Sequence, residues 1–257
     1  PAMADSLDLG PLIAALADTP KPLAHARGLP GACYVATAIH AAEQEQLFAA
    51  SWLAIAREAD LPDAGSFVTR PVGAERILIV RGDDGVLRAF YNVCRHRGSR
   101  LVEAESGQLR GAITCPSHAW SYALDGRLRQ APRLDTEGQA DALALVQVPL
   151  GLRVGFVFVN ADAQAAPLDQ ALAGLPDWSR FRLDTLRRVR SLDYRVAANW
   201  KLVCENYSEC YHCPRAHPQL DRLSELESGG FESGAGFNGG RMGVGDGFDR
   251  FSTDGGQ

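Results

Sequence analysis

Apolar residues recur along this chain with two different periods, and the change of period divides the sequence. From about 66 to 160, short β-branched and aromatic runs alternate with turn signals, as in ERILIVRGDDGVLRAFYNV. The Asp-Gly pairs at 84–85 and 125–126 are typical of hairpin turns, so this region is predicted to be a small antiparallel β domain. Between 41 and 59 the large apolar residues recur near the helical period and predict a helix: Leu47, Phe48, Trp52 and Ile55.

Beyond residue 160 the pattern of apolar and polar residues changes again. Residues 162–181, DAQAAPLDQALAGLPDWSRF, are typical of a linker with one short helix. Residues 186–200, LRRVRSLDYRVAANW, alternate in the manner of a strand. The tail from 228 is rich in glycine, but its glycines do not lie between a strand and a helix, which disfavours a dinucleotide-binding loop. A loop or a hairpin is predicted there instead.

Composition and charge narrow the classes of protein. At 257 residues with 46% hydrophobic content, the chain can bury one large core or two smaller ones. The net charge of −5 argues against a nucleic-acid partner, which would favour a basic balance. No apolar run approaches the roughly 20 residues of a membrane span, and the first 22 residues lack the features of a secretory signal. We therefore expect a cytoplasmic protein without a nucleic-acid or membrane partner.

Cysteines and histidines occur together in two loops, CRH at 94–96 and CPSH at 115–118. A Cys₂His₂ set can hold structural zinc, but zinc sites usually keep the two cysteines in one pair and the two histidines in another. In a Rieske [2Fe–2S] cluster two cysteines bind one iron and two histidines the other. The mixed order favours the Rieske cluster, since each loop can send one ligand to each iron. The predicted cluster ligands are Cys94, His96, Cys115 and His118.

The stretches YNVCRHRGSRL and CPSHAWSYALDGRL resemble the Rieske domain of Rieske non-heme iron oxygenase α-subunits, the ring-hydroxylating oxygenase family. They depart from the family at Ser117, where an aromatic residue is usual, and at Ala119, where glycine is common. The resemblance implies an α+β chain. It would have an N-terminal loop and helix over 1–49 and a β-rich Rieske domain over 50–165. Residues 166–257 would form the first part of a catalytic domain of helices and antiparallel sheet, of the helix-grip type.

The segment NWKLVCENYSECYHCPRAH resembles the catalytic stretch of the same family. Position by position, His212 and His217 fall on the ligands of a mononuclear Fe(II), and Glu209 falls on the acidic residue that bridges the two metal centres. Such an iron uses two histidines and one carboxylate, and it leaves positions open for O₂ and substrate. Histidines five apart diverge by roughly 140° on a regular helix. Because Pro214 lies between them, we predict a kinked or π-bulged helix that brings them together.

The cysteines of this segment allow a different interpretation, in which Cys204, Cys210 and Cys213 join a histidine in a zinc or thiol site. The Cys-x-x-Cys spacing of Cys210 and Cys213 is typical of thioredoxin-like sites, but the βαβ setting of such sites is absent from the pattern. We favour buried small residues on the helix.

The glutamate in ECYHC points to one branch of the family, because most aromatic-ring dioxygenases carry aspartate at that position. The resemblance is to oxygenases of quaternary ammonium compounds: glycine betaine, choline, carnitine and stachydrine. It implies hydroxylation of an N-methyl group or a neighbouring C–H by O₂, after which the hemiaminal product can release formaldehyde. It also implies a flavin- or ferredoxin-type reductase and a homotrimer, with electrons passing through His118 and Glu209 between subunits. An aromatic ring-hydroxylating dioxygenase α-subunit is the alternative.

The third iron ligand of the family is an aspartate that would lie beyond residue 257. Asp246, Asp249 and Asp254 lie in the glycine-rich tail and are poor substitutes. Two interpretations follow: the chain is a fragment, or it has lost a complete iron site and is a non-catalytic Rieske electron-transfer protein. A zinc-stabilised binding module is a third, more distant interpretation.

Overall fold

The computed structural model describes two compact units within the chain. Of the described residues, 37–171 and 177–191 form the first unit, and the remainder form the second. The first unit consists mainly of β-strands, and the second combines short helices with a two-stranded hairpin. The described residues are 9–17, 19, 21–22, 24–136, 138–234, 237–245 and 247.

The helices are short, and none in the described part of the chain has the length and apolar composition needed to cross a membrane. Single 3₁₀ turns occur at Glu58–Asp60, Ser179–Phe181 and Leu183–Thr185. In chain order the α-helices are α1 (Leu9–Leu16), α2 (Ala32–Val35), α3 (Thr37–Ala42), which continues as a π-helical segment over Glu43–Phe48, α4 (Leu168–Ala171), α5 (Trp200–Tyr207), α6 (Cys213–Ala216) and α7 (Pro218–Leu223).

The strands pair antiparallel throughout, which confirms the predicted antiparallel β domain. The strands are β1 (Leu53–Arg57), β2 (Ser66–Val72), β3 (Glu75–Arg81), β4 (Leu87–Tyr91), β5 (Ser106–Gln108), β6 (Ile113–Thr114), β7 (Ser121–Tyr122), β8 (Leu128–Gln130), β9 (Gln147–Val148), β10 (Leu150–Arg153), β11 (Phe156–Val159), β12 (Ser224–Gly234) and β13 (Phe237–Val244). They form sheets in the orders β5-β2-β3-β4-β9, β1-β11-β10, β6-β7-β8 and β12-β13.

The predicted Asp-Gly turn between β3 and β4 is present. Gly85 has a φ of +75°, a left-handed conformation that suits glycine. Asp84 accepts a hydrogen bond from the Val86 amide at 3.1 Å and from both terminal nitrogens of Arg88, at 2.9 and 2.7 Å. The Arg88 bond is the main reason that the pKa of Asp84 lies well below its ordinary value. The turn thus fixes the β3–β4 register through backbone conformation and charge.

Two apolar clusters form the core of the first unit. One apolar cluster lies between the five-stranded sheet and the β1-β11-β10 sheet and contains residues such as Ile77, Ile79 and Val157. The other apolar cluster includes two of the predicted iron–sulfur ligands, so the loops that carry these ligands are anchored in the core. Its fully or nearly buried members are Phe67, Leu78, Val80, Phe90, Cys94, Leu101, Ile113, Cys115, Trp120, Tyr122, Leu124, Ala131 and Leu145.

The helix predicted over 41–59 is wrong in its second half. Helical structure ends at Phe48, and Leu53–Arg57 form strand β1. In β1, Leu53 lies opposite Val159 and Arg57 lies opposite Phe156. The apolar residues of this stretch fit both the helical and the strand period. Pairing of β1 with β11, about a hundred residues later in the chain, selects the strand.

Helix α5 of the second unit is capped at its N-terminus. The Asn199 side chain accepts a hydrogen bond from the Lys201 amide at 3.0 Å and caps α5. The Tyr34 hydroxyl donates to Glu205 of α5 at 2.6 Å, and this bond raises the pKa of Tyr34 to about 12. Strands β12 and β13 form the hairpin expected in the glycine-rich tail.

The strand predicted over 186–200 is absent, since residues 186–199 have no regular secondary structure. Several of its apolar side chains face solvent, and Val189 is 97% exposed. A strand requires a hydrogen-bonded neighbour, and none of the sheets in the described residues includes this segment.

Candidate metal centres

The first ligand loop follows β4 and closes on itself. The Cys94 amide donates to the Ser99 carbonyl at 2.8 Å, and the Gly98 amide donates to the Cys94 carbonyl at 3.0 Å. Gly98 has a φ of +74°, so the tight return of the chain uses the conformational freedom of glycine. This loop presents Cys94 toward the core and leaves His96 exposed.

The second ligand loop, between β6 and β7, is built in the same way. The Cys115 amide donates to the Trp120 carbonyl at 2.8 Å, and the Ala119 amide donates to the Cys115 carbonyl at 3.1 Å. Ala119 has a φ of +58°, a left-handed conformation that costs a non-glycine residue about 1–2 kcal/mol. The preference for glycine at this position therefore has a direct backbone cause.

The two loops bring the four predicted cluster ligands together in like pairs. Cys94 and Cys115 are both only 2% exposed and lie in one buried cluster, where each thiol contributes to the shift in the pKa of the other. The rings of His96 and His118 lie 4.8 Å apart between centroids, nearly perpendicular to each other. Trp120 stacks on His96 at 4.9 Å. The two sulfurs are therefore held inside and the two imidazoles outside.

This pairing fits a two-iron cluster better than a single metal ion. Across the described ranges, no group of three or more His, Cys, Asp or Glu side chains is gathered closely enough to hold one metal ion. A structural zinc requires four ligands around one point. A Rieske cluster requires only that two sulfurs bind one iron and two imidazoles bind the other. The donor set and its arrangement both match the cluster.

Tyr122 and main-chain amides surround the sulfurs. The buried Tyr122 hydroxyl lies 3.3 Å from Cys94 Sγ and accepts the Arg95 amide hydrogen at 3.1 Å. Burial raises the pKa of the Cys94 thiol. Burial acts in the same direction on Cys115, but the Ser117 and His118 amides and the Cys94 thiol outweigh it and lower the pKa of Cys115. The pKa values of the two thiols are thus shifted in opposite directions.

The second candidate centre lies just after α5. The rings of His212 and His217 are 5.3 Å apart between centroids. His212 Nδ1 lies 2.6 Å from Glu209 Oε1, and this contact is the main cause that lowers the pKa of Glu209. With Nδ1–H donated to the carboxylate, His212 Nε2 keeps the lone pair that a metal requires. The structure therefore brings together the three residues that the sequence pointed to.

The kinked or π-bulged helix predicted for this segment is wrong. Helix α5 ends at Tyr207, a turn follows, and α6 begins at Cys213 with Pro214 in its first turn. His217 ends α6 with φ −132° and ψ 60°. Proline is favoured at a helix start because it lacks an amide hydrogen, so the chain begins a new helix here. A broken helix brings the histidines together as a kink would have done.

The cysteines of this segment differ in environment. Cys213 is buried, Cys210 is half-buried and Cys204 is exposed, so burial on one helix is wrong for two of the three. A hydrogen bond with Cys210 raises the pKa of Cys213 to about 11, which disfavours a thiolate metal ligand.

Some residues around these centres carry no signal in the sequence. The Ser117 and Ser99 hydroxyls lie 2.8 Å apart and join the two ligand loops. The Tyr34–Glu205 bond spans 171 positions of sequence. Both contacts depend on the folded chain, and no local pattern announces them. Three aspartates considered for the iron lie outside the described residues: Asp246, Asp249 and Asp254.

Comparison with known protein families agrees with these two centres. Residues 51–149 match the Rieske [2Fe-2S] domain, and residues 183–254 match the catalytic domain of the ring hydroxylating alpha subunit. A Rieske domain carries a [2Fe–2S] cluster, and this catalytic domain carries a mononuclear iron.

Similar proteins occur in several bacteria. The carnitine monooxygenase oxygenase subunit of Escherichia coli K12 is 39% identical over 211 residues, which are 76% of this chain and 55% of the relative. The glycine betaine monooxygenase oxygenase subunit of Chromohalobacter salexigens is 37% identical over 215 residues, 82% of this chain and 48% of the relative. The chain thus spans about half the length of these relatives.

A solved structure shows the same architecture. The quaternary ammonium Rieske monooxygenase CntA in complex with its substrate L-carnitine superimposes with a TM-score of 0.71 at 34% identity, over 80% of this chain and 59% of that one. Sequence motifs, fold and paired ligands lead to the same family. This chain belongs to the Rieske non-heme iron oxygenase α-subunits, and its relatives include the carnitine and glycine betaine monooxygenase oxygenase subunits.

Proposed function

We propose that this chain is the electron-receiving part of an oxygenase component that hydroxylates and N-demethylates a small quaternary ammonium compound with O₂. The observation that carries the proposal is the pairing of two sulfurs and of two imidazoles on two loops of the first unit. Later in the chain a histidine pair follows, and one of its members, His212, is bonded to the Glu209 carboxylate. Similarity to carnitine and glycine betaine monooxygenases favours quaternary ammonium substrates over aromatic rings.

Each side chain has a proposed role. Cys94 and Cys115 bind one iron of the cluster, and His96 and His118 bind the other. When bound, the cluster supplies one-electron transfer and a mononuclear iron supplies the activation of O₂. The buried sulfurs and the stacked Trp120 exclude water from the inner side of the first site. The exposed imidazole of His118 offers the surface at which electrons leave.

Glu209 has two proposed tasks. It holds the Nδ1 proton of His212, which fixes the tautomer and directs Nε2 of His212 to a mononuclear iron together with His217. Its second oxygen accepts the Tyr211 amide hydrogen at 2.5 Å, which orients the carboxylate. In the proposed assembly Glu209 would bridge His118 of a neighbouring subunit and His212, so that electrons would pass through this contact toward the residues that would hold the mononuclear iron. A related quaternary ammonium Rieske monooxygenase has been described as using inter-subunit electron transfer.

The proposal extends to organisation and partners. We assign residues 1–49 to an N-terminal segment, 50–165 to the Rieske domain and 166–257 to the first part of the catalytic domain. The whole protein would be a homotrimer served by a flavin- or ferredoxin-type reductase. A cytoplasmic location is consistent with the six cysteines, none of which forms a disulfide in the described part of the chain.

Metal analysis and oxygen uptake test this proposal. The anaerobically purified chain should contain iron and acid-labile sulfide, and His212→Ala or His217→Ala should remove the non-cluster iron alone. His40→Ala, in α3, is the matched control and should retain all iron. Oxygen uptake should then respond to carnitine, glycine betaine or proline betaine and not to aromatic acids. A sample that holds only zinc contradicts the proposal.

A Rieske electron-transfer protein is the second candidate. In the described part of the chain His212 and His217 lie together, but the nearby Glu209 carboxylate is already hydrogen-bonded to His212. No group of three or more possible metal ligands is present among the described residues. Full cluster content without non-cluster iron, and electron transfer without oxygen uptake, would favour this function.

A further inference from the structure

Tyr34 contacts helix α5 at both of its ends. The Tyr34 carbonyl accepts the Nδ2 hydrogen of Asn199, the residue that caps the helix, at 3.0 Å. The Tyr34 hydroxyl donates to Glu205, in the last turn of the helix, at 2.6 Å. Positions 199 and 205 are about 9 Å apart along a helix axis, because each residue rises by about 1.5 Å. A single tyrosine therefore lies along α5 from its cap to its last turn.

The contacts between these two ends hold the tyrosine against the helix. The Asn199 side chain has a fixed orientation, because its Oδ1 accepts the Lys201 amide hydrogen while its Nδ2 donates to Tyr34. Lys201 is only 9% exposed, and its Nζ lies 5.8 Å from the centre of the Tyr34 ring. A cation at this distance from an aromatic face is attracted to it. Tyr34 is thus held at its carbonyl, its ring and its hydroxyl, all within the second unit.

The end of α5 determines where Glu209 begins. The Ser208 amide donates to two carbonyls of the last turn, at 3.0 and 3.1 Å, and the Ser208 hydroxyl donates to one of them at 2.8 Å. Glu209 is the next residue, and its carboxylate bonds to His212. Only Ser208 therefore separates the helix that Tyr34 contacts from the carboxylate that orients His212.

The bond between Tyr34 and Glu205 is of the charge-assisted kind, in which a hydroxyl donates to a carboxylate. This bond raises the pKa of Tyr34 to about 12, so the hydroxyl keeps its hydrogen throughout the neutral range. Phenylalanine at position 34 would keep the ring beside Lys201 and the main-chain bond to Asn199. The hydroxyl bond can therefore be removed by itself.

We propose that Tyr34 is a positioning residue for Glu209: by holding the last turn of α5 through Glu205, it keeps the Glu209 carboxylate where it fixes the tautomer of His212. This inference rests on the role proposed above for Glu209. It gives a residue that lies 171 positions before Glu205 a task at the second candidate centre.

NMR of the His212 ring tests this role in the full 257-residue chain, after a chelator has removed any non-cluster iron. In mildly alkaline buffer free imidazole is neutral, and nitrogen chemical shifts distinguish a hydrogen on Nδ1 from one on Nε2. Wild-type His212 should carry its hydrogen on Nδ1. Tyr34→Phe should raise the ratio of the Nε2–H to the Nδ1–H tautomer about 2- to 10-fold, the range expected for the loss of one hydrogen bond.

Variants of Glu205 test whether Tyr34 acts through this residue. Glu205→Ala removes the acceptor and should shift the tautomer as Tyr34→Phe does, whereas Glu205→Gln keeps an acceptor oxygen and should stay close to wild type. The double variant Tyr34→Phe/Glu205→Ala should shift the tautomer no further than either single variant, because both remove the same bond. Tyr194→Phe is the matched control: Tyr194 is 80% exposed in the second unit, makes no hydrogen bond to its hydroxyl among the described residues, and should leave His212 unchanged.

The outcomes separate this inference from the proposed function. An unchanged tautomer in Tyr34→Phe overturns the positioning role, as does an additive shift in the double variant or an equal shift in Tyr194→Phe. If Tyr34→Phe does not fold, Glu205→Ala decides, and an unchanged tautomer there overturns the role. The measurement needs no iron, so a chain that binds no iron overturns the proposed function alone. A wild-type His212 with its hydrogen on Nε2 overturns both the tautomer assigned to Glu209 and this inference.

Discussion

Tyr122→Phe isolates one hydroxyl in the buried wall of the first site. The Tyr122 side chain is fully buried, and its hydroxyl contacts Cys94 Sγ at 3.3 Å and the Arg95 amide at 3.1 Å. Phenylalanine keeps the ring, so packing changes little, but the Arg95 amide loses its acceptor. An amide left without a partner costs about 1–3 kcal/mol of stability. Because this bond is only partly buried, we expect a loss of about 1–2 kcal/mol.

Amide hydrogen exchange measures this cost where it arises. A loss of about 1–2 kcal/mol lowers the protection of the Arg95 amide about 5- to 30-fold. Tyr91→Phe is the control, since the Tyr91 hydroxyl donates to the Ala161 carbonyl at 3.0 Å. That variant should leave Arg95 protected. Equal protection of Arg95 in Tyr122→Phe and wild type would refute the reasoning, as would a uniform loss across the domain.

Two further predictions concern the turns that hold the β domain. Gly126→Ala should destabilise the domain by about 2–5 kcal/mol, because Gly126 has a φ of +91° and a Cβ there would lie 2.5 Å from the buried Phe90 ring. Gly111→Ala, at φ +70° with open space around it, should cost only about 1–2 kcal/mol; urea unfolding compares the two, and equal losses would contradict the packing argument. The Arg88 bond depresses the pKa of folded Asp84, so its stabilising effect is present above the unfolded pKa of about 3.9 and is lost as pH falls through the folded pKa. Melting temperatures of wild type and Asp84→Asn should therefore differ at neutral pH and converge in acid, and a constant difference would be inconsistent with this ion pair.

The sequence was most informative where chemistry and local geometry coincide. The order of cysteine and histidine on two short loops predicted which side chains would meet, and the structure pairs sulfur with sulfur and ring with ring. The Asp-Gly pairs predicted hairpin turns, because positive φ is a local requirement of the backbone. Such features are decided within a few residues, so they can be read before the fold is known.

Features decided by distant parts of the chain could not be predicted in the same way. Residues 53–57 become a strand because β11 lies beside them, and residues 186–199 remain irregular because no strand pairs with them in the described units. The helix around Pro214 breaks where the pattern predicted only a kink. Helical period and alternation are weak guides wherever tertiary pairing chooses between them.

The central claim is that two cysteines and two histidines hold a [2Fe–2S] cluster in this chain. Pulsed EPR of the reduced chain tests it most directly, because coupling to ligand nitrogen reports imidazole on the iron that carries the added electron. We expect about two cluster irons and about two sulfides per chain, apart from any mononuclear iron, with coupling to two histidine nitrogens. His96→Ala should abolish this signal, and His40→Ala should leave it unchanged. A reduced cluster without nitrogen coupling, or a chain with zinc and no sulfide, would contradict the account.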